Sequence, residues 1–398
     1  MPDAPVLSEA LDPARAESKA PALSEALDVA RAESKGSVSR VLVVSPNWLG
    51  DAVMALPAIA DVKRHFHARL VVAARRSVAD VFRLAAPVDE VLVLEWSGKL
   101  LRAGALRRDL DAVRRARPDV AIVLPNSFAS AWAVRRAGIP ERWGYAADFR
   151  RRLLSRAVPR PRKSVHQGAY YQHLVQQLGI GTGPLEPVLA VPDRAIDAAR
   201  ALLTSAGWSG QRPLVAMAPG AAYGTAKRWL PSHFARLVTM LAQTTGATCA
   251  LLGTGADRDT TAWIHRLVPE AARGHALDLV GRTELDVLAG VIQLSAVFVS
   301  NDSGAMHMAS ALGVPVIALF GPTREYETAP LARAGGRVEV LLNPVWCRPC
   351  MLRECPIDHR CMKGLTPERV FAVVSEIVAG RLDGGRGGNV PNRQELER

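Results

Sequence analysis

The chain has 398 residues, 49% of them apolar and 22% charged, an ordinary globular balance with room for two or three domains. No apolar run approaches the ~18 residues of a spanning helix. The amino terminus lacks the basic start and apolar segment of a secretory signal, which predicts a cytoplasmic address.

Residues 1–36 contain a duplicated segment, LSEALDPARAESK at 7–19 and LSEALDVARAESK at 23–35. It is rich in Ala and Glu and lacks aromatics, so a marginal helix or a disordered tail is expected over 1–38. From Val41 the pattern changes. Short apolar runs at 41–46, 69–74, 90–95 and 119–125 alternate with helical stretches at about 50–66, 77–85, 103–117 and 127–138, and a helix over 163–180 closes this half. Strands that are apolar throughout, alternating with helices, predict a parallel sheet covered on both faces. The Pro- and Gly-rich stretch 181–194 reads as a linker. A second alternating series follows, with strands at 212–220, 247–253, 276–281, 296–302 and 314–323, and helices at 231–246, 283–295 and 303–313. The domains are therefore placed at 39–185 and 186–365, followed by a helix at 366–382 and a disordered tail at 383–398.

The formal charge of +12 is uneven. Residues 101–163 hold sixteen Lys/Arg against five Asp/Glu, while residues 1–36 hold four against seven. A basic surplus of this kind either attracts polyanions such as nucleic acid, anionic lipid or phosphorylated glycan, or is simply a solvated Arg-rich surface.

Three strand-to-helix junctions carry chemistry. In SPNWLGDAVMALPA (45–58), Gly50 permits close approach of a ligand, and Asp51 stands at a helix start as an N-cap or a general base. In APGAAYGTAKRWLP (218–231), small residues around Gly220 and Gly224 would let the backbone near a phosphate, with Thr225 and Lys227 as donors. In VSNDSGAMHMASALG (299–313), Asp302, Ser303 and Gly304 open a helix whose N-terminus favours anions, with His307 a turn further in. Neither half has the dinucleotide fingerprint after its first strand, nor a Walker or serine-hydrolase motif, which counts against those enzyme classes.

Of five cysteines, Cys249 sits in the apolar run TCALLG and reads as core. Cys347, Cys350, Cys355 and Cys361 crowd into 347–361 with spacing C-x2-C-x4-C-x5-C. They could wrap one structural zinc or remain reduced or redox-labile thiols.

Taken together, SPNWLGDAVMALP, APGAAYGTAKRWLP, LLGTGADRD, LVGRTEL and SNDSGAMHMASALGVPVIALFGPT resemble glycosyltransferase family 9, the heptosyltransferases of lipopolysaccharide core assembly, over about residues 40–380. The resemblance implies a GT-B fold, with two Rossmann-like domains facing a cleft, an acceptor half first and a donor half second. It implies ADP-L-glycero-D-manno-heptose as donor, heptosyl-Kdo2-lipid A as acceptor, and inversion without a catalytic metal or cofactor. By the same carry-over Asp51 is the base. Thr225, Lys227, Asp302, Ser303, Gly304 and His307 bind the donor, with Gly220 and Asp257 as looser candidates. Arg150, Arg151 and Arg152 are the cations expected to meet an anionic lipid A-core acceptor. Basic residues would hold the protein on the cytoplasmic face of the inner membrane. The competing readings are another ADP-sugar transferase of the family, a GT-B nucleotide-sugar epimerase, and a nucleotide- or RNA-binding module. Nucleic acid is not expected as a partner, because aromatics make up only 5% of the chain.

Overall fold

A computed structural model describes residues 38–95 and 103–384; the duplicated segment and most of the carboxyl-terminal tail lie outside the described residues. The first sheet is built from β1 (Arg40–Val44), β2 (Arg69–Arg75), β3 (Glu90–Leu94), β4 (Val120–Val123), β5 (Glu141–Tyr145) and β6 (Arg156–Val158), in spatial order β3-β2-β1-β4-β5-β6. The second contains β7 (Leu214–Ala218), β8 (Thr248–Leu251), β9 (Ala276–Asp278), β10 (Val297–Asn301), β11 (Val316–Phe320) and β12 (Val338–Leu342), in order β12-β11-β10-β7-β8-β9. Every pairing is parallel. Counted from its own first strand, each sheet has the same doubly wound order. Each therefore has a crevice where the order reverses, between β1 and β4 and between β7 and β10, outside the carboxyl ends of the strands.

The helices of the first half are α1 (Leu49–Met54), α2 (Leu56–Phe66), α3 (Arg76–Arg83), α4 (Ala103–Ala116), α5 (Phe128–Arg136) and α6 (Gln167–Gln177). The second half has α7 (Asp193–Ser205), α8 (Pro231–Thr245), α9 (Arg258–Leu267), α10 (Glu270–Arg273), α11 (Leu285–Leu294), α12 (Gly304–Ala311), the one-turn α13 (Glu325–Thr328) and α14 (Arg360–Lys363), and α15 (Pro367–Gly384). As the sequence suggests, α8 ends at Gly246, which adopts the left-handed conformation that stops a helix. The central strands β4, β7, β10 and β11 are buried along their whole length, because helices cover both faces.

From Arg40 on, the described residues form one compact unit. The stretch 181–192 has no helix or strand and runs between the halves. Its Leu189 N–H donates to Ala311 O and its Ala190 N–H to Leu84 O, tying it to both. Gly183 N–H and the Gln172 amide both donate to the fully buried Asp61 carboxylate, whose charge Arg64 pairs.

Candidate active site

The two halves meet where α1 packs on α12. Both helices start just after the first or fourth strand of their sheet, so both present their N-termini to the crevices. The crossing depends on two glycines. A methyl group on Gly50 would stand 2.8 Å from His307 Cδ2, and one on Gly304 would stand 2.6 Å from Leu49 Cβ. Both lie inside van der Waals contact, so only hydrogen at these positions lets the backbones approach this closely.

This crossing carries Asp51 to the groups of the second half. Asp51 is not the N-cap: the backbone of Trp48 takes that position, and Asp51 lies within the first turn of α1. Burial pushes its carboxyl up to about 6, and the positive charge of Lys227 pulls in the opposite direction. Tyr171, buried on α6, also feels the Asp51 charge. A carboxylate poised near neutrality, with a lysine from the other domain acting on it, has the properties of a general base.

Lys227 ends the short turn Thr225–Lys227 after β7. Its Nζ lies 2.5 Å from Asp302 Oδ2, an ion pair with side chains only 12% and 6% exposed. Thr323 Oγ1 donates to the same oxygen at 2.6 Å, and the ammonium also sits over the Tyr223 ring. Asn301 fixes the loop: its Oδ1 accepts from Trp229 N–H, and its amide donates to Pro219 O. Asp302 thus ties Lys227 to Thr323.

Ser303 is the N-cap of α12 by backbone conformation. Its hydroxyl pairs with Ser300, and it makes no side-chain cap to the helix. The first amides of α12 are therefore left for an anion at the positive end of the helix dipole. His307 is buried, and its Nδ1 has no hydrogen-bond partner among the described residues. Its pKa is lowered to about 4, chiefly by burial, with Asp302 opposing the shift and His166 and Lys227 adding to it. It is a neutral imidazole at physiological pH.

The structure brings together Asp51, Lys227, Asp302, Ser303, Gly304 and His307. Thr225 lies exposed on the same loop as Lys227. Gly220 and Asp257 are neighbours, but the Asp257 carboxylate is committed to a capping box with Thr254 N–H and Oγ1. Residues absent from the sequence reading are Thr323, Asn301, Tyr171 and His166. His166 accepts from Gly168 N–H, and its Nε2 lies 2.8 Å from Ala329 O of the second half. Asn301 and Thr323 lie inside the motif 300–323 that the resemblance rests on, whereas nothing distinguishes Tyr171 and His166 from ordinary helix or turn residues.

The Arg150–Arg152 expectation is corrected at its first member. Arg150 is fully buried. Its guanidinium donates to Tyr145 O, Pro125 O and Ser127 O and to Ser130 Oγ, closing the carboxyl ends of β4 and β5. Burial lowers its pKa to about 10, so it stays charged but is unavailable to an acceptor. Arg151 and Arg152 are exposed. So are Arg160, Arg162 and Lys163, and Arg160 and Lys163 line a cavity of about 490 Å³ with Tyr170 from α6 and Glu327 and Thr328 from the second half.

All five cysteines are free thiols. Cys347, Cys350, Cys355 and Cys361 line one small cavity. Among the described residues no group of three or more His, Cys, Asp or Glu is placed so that it could hold a metal ion as it stands. No described helix is long and apolar enough to cross a membrane.

The sequence profile of glycosyltransferase family 9 (heptosyltransferase) matches residues 105–360. Lipooligosaccharide heptosyltransferase 2 of Haemophilus influenzae is 27% identical over 349 residues, spanning 85% of this chain and 99% of the relative. Lipopolysaccharide heptosyltransferase 2 of Salmonella typhimurium is 29% identical over 351 residues, with the same coverage. The structure of Escherichia coli ADP-heptose lipopolysaccharide heptosyltransferase II superposes with a TM-score of 0.73 at 26% identity, covering 86% of this chain and 99% of that one. The GT-B architecture expected from the sequence is therefore present.

Proposed function

Because the chain belongs to glycosyltransferase family 9, we propose that this glycosyltransferase moves heptose from ADP-L-glycero-D-manno-heptose onto the lipopolysaccharide inner core, as the second heptose on heptosyl-Kdo2-lipid A, with inversion. The observation that carries this reading is Asp51, a carboxyl raised to about 6, held across the domain crossing from Lys227 and the N-terminus of α12. Resemblance to enzymes named for the second heptose supports the choice of acceptor.

In this reading the first half binds acceptor and the second half binds donor. At about pH 7.5 the Asp51 carboxylate is mostly ionised and takes the proton of the attacking acceptor hydroxyl. The acceptor oxygen bonds to the anomeric carbon as the bond to the β-phosphate oxygen breaks on the opposite face. The electron pair leaves with ADP. Lys227 and the amides of Gly304 and Ala305 stabilise the growing phosphate charge. Because Asp302 and Thr323 already fix the lysine, little reorganisation is needed as that charge develops. His307, neutral and buried against Gly50, fills the crossing.

The acceptor's phosphates and carboxylates are assigned to the exposed cations Arg151, Arg152, Arg160 and Lys163, with Arg160 and Lys163 at the cavity between the halves. Peripheral contact with the cytoplasmic face of the inner membrane is proposed for the edge that carries Phe149, 99% exposed beside Arg151 and Arg152, and the exposed Phe128. An apolar ring flanked by cations suits an anionic lipid surface. The four clustered cysteines are proposed as ligands of a structural ion.

The test is incubation of the full chain with ADP-heptose and a series of truncated lipopolysaccharide acceptors, read by mass spectrometry. Addition of one heptose to the heptosyl-Kdo2-lipid A acceptor is expected. Transfer only to Kdo2-lipid A, or only from another ADP-sugar, would refute the stated specificity.

A further inference from the structure

The segment 346–361 is not a loose rim. It makes backbone contacts with the loop that carries Lys227. Ala226 N–H donates to Arg353 O at 2.9 Å, and Tyr223 Oη donates to Met351 O at 3.0 Å. Gly224 lies directly against the Arg353 carbonyl, so closely that no side chain fits there. The Tyr223 ring meets cations from both segments, Lys227 at 4.8 Å and Arg353 at 5.1 Å from its centroid. On its other side Arg348 donates to Gly321 O and Thr323 O and pairs with Glu325. The segment thus braces the loop bearing Lys227 and the loop bearing Thr323, the two groups bonded to Asp302.

The segment has little apolar core of its own. Trp346, Met351, Leu352 and Ile357 are exposed, and residues 346–359 contain no helix or strand. What its turns enclose is a cavity of about 20 Å³, room for a single water-sized particle, lined by Cys347, Cys350, Cys355 and Cys361 together with Arg348 and Arg360. His359 N–H donates to Cys355 Sγ at 3.3 Å. Four cysteines lining one ion-sized space, with a backbone donor to one sulfur and the Arg360 guanidinium close enough to interact with Cys347 and Cys355, match the donor set of a thiophilic divalent cation.

We propose that these four cysteines bind one zinc or ferrous ion as thiolates, and that the ion sets the brace that holds Lys227 in the donor site. The four thiol protons are released on binding, and no electron transfer is involved. The brace half of the proposal rests on the donor-site reading above; the ion half does not.

The test uses the untagged full chain, purified under reducing conditions and analysed for metals by mass spectrometry. About one equivalent of zinc or iron per chain is expected. It should be lost in Cys350→Ser and Cys355→Ser and retained in Cys249→Ser, whose thiol lies in the core far along the chain. Because a serine variant could misfold, the wild-type protein is also stripped with a chelator and reloaded with zinc. ADP affinity, by calorimetry, should weaken about fivefold or more on stripping and recover on reloading. Less than a tenth of an equivalent as purified, together with no zinc uptake on titration, overturns the ion. Stoichiometric metal whose removal leaves ADP affinity unchanged overturns the brace. Failure of the metal-loaded protein to bind ADP would sink the donor-site reading, while the metal count still decides the site.

Discussion

Replacing Asp51 by Asn should remove transfer and make the protein more stable. Moving the carboxyl from 3.8 to about 6 reflects burial that disfavours the charged form. At about 1.4 kcal/mol per unit, this corresponds to roughly 2–3 kcal/mol. The sign follows from linkage. The folded pKa lies above the unfolded one, so the native state binds the proton more tightly. The stability contributed by protonated Asp51 is full below about pH 4 and is lost as the pH rises through about 6. Asn has no charge to bury. The variant should therefore match wild type near pH 4 and exceed it by roughly 2–3 kcal/mol at about pH 8. Urea unfolding across that range measures the gap, and single-turnover assays measure the chemistry. Transfer should fall by at least about a thousandfold with ADP affinity preserved. Equal stability at every pH, or turnover near the wild-type rate, would refute the reasoning that a desolvated carboxylate at position 51 is the base.

Lys227→Ala should weaken ADP binding strongly and destabilise the fold by about 3 kcal/mol or more, because Asp302 is left buried without its cation. Adding Asp302→Asn should recover much of that stability without restoring donor affinity, as thermal melts and calorimetry on the single and double variants would show. Gly50→Ala should lower kcat far more than ADP affinity, since the added methyl strikes His307 and separates the two halves; parallel loss of both would place the crossing inside the nucleotide site instead. Arg150→Ala should lower the unfolding midpoint without a specific rise in acceptor KM, whereas Arg160→Ala with Lys163→Ala should raise acceptor KM and leave the midpoint unchanged. Phe149→Ser should weaken sedimentation with anionic vesicles about tenfold to a hundredfold, from the ~1.5–3 kcal/mol of a buried phenyl group, while leaving transfer to a delipidated acceptor intact.

Much of the fold was legible because its central strands are apolar throughout. RVLVV, LVAMA, VFVSN and VIALF announce a sheet covered on both faces. The strands that escaped are β5, β6 and β12, with sequences ERWGY, RAV and VEVLL. They lie toward the sheet edges, where polar residues break the apolar run that reveals a buried strand. The helices α7, α9 and α10 also went unread, their apolar faces being narrow. At the crossing, the glycine-containing junctions at 45–58 and 299–313 made Asp51 and the α12 N-terminus candidates, and the structure shows why the glycines are there: the backbones approach closely at Gly50 and Gly304. Arg150 misled for a specific reason. Asp148 and Phe149 adopt positive φ, and the turn folds one arginine of RRR inward onto carbonyls while its neighbours stay outside. Nothing in three consecutive arginines marks which one is buried. Likewise the sequence showed four nearby cysteines, but not that their loop bonds to Ala226 more than a hundred residues earlier.

The central claim is geometric: the diphosphate of the donor lies between Lys227 and the first turn of α12, facing Asp51 across the Gly50–Gly304 crossing. A crystal structure of the full chain with ADP tests it most directly. The account predicts the β-phosphate within hydrogen-bond reach of Lys227 Nζ and of the Gly304 or Ala305 amide, with its free oxygen toward Asp51. Nucleotide bound at the first sheet's crevice, or with its phosphates turned away from α12, would contradict it.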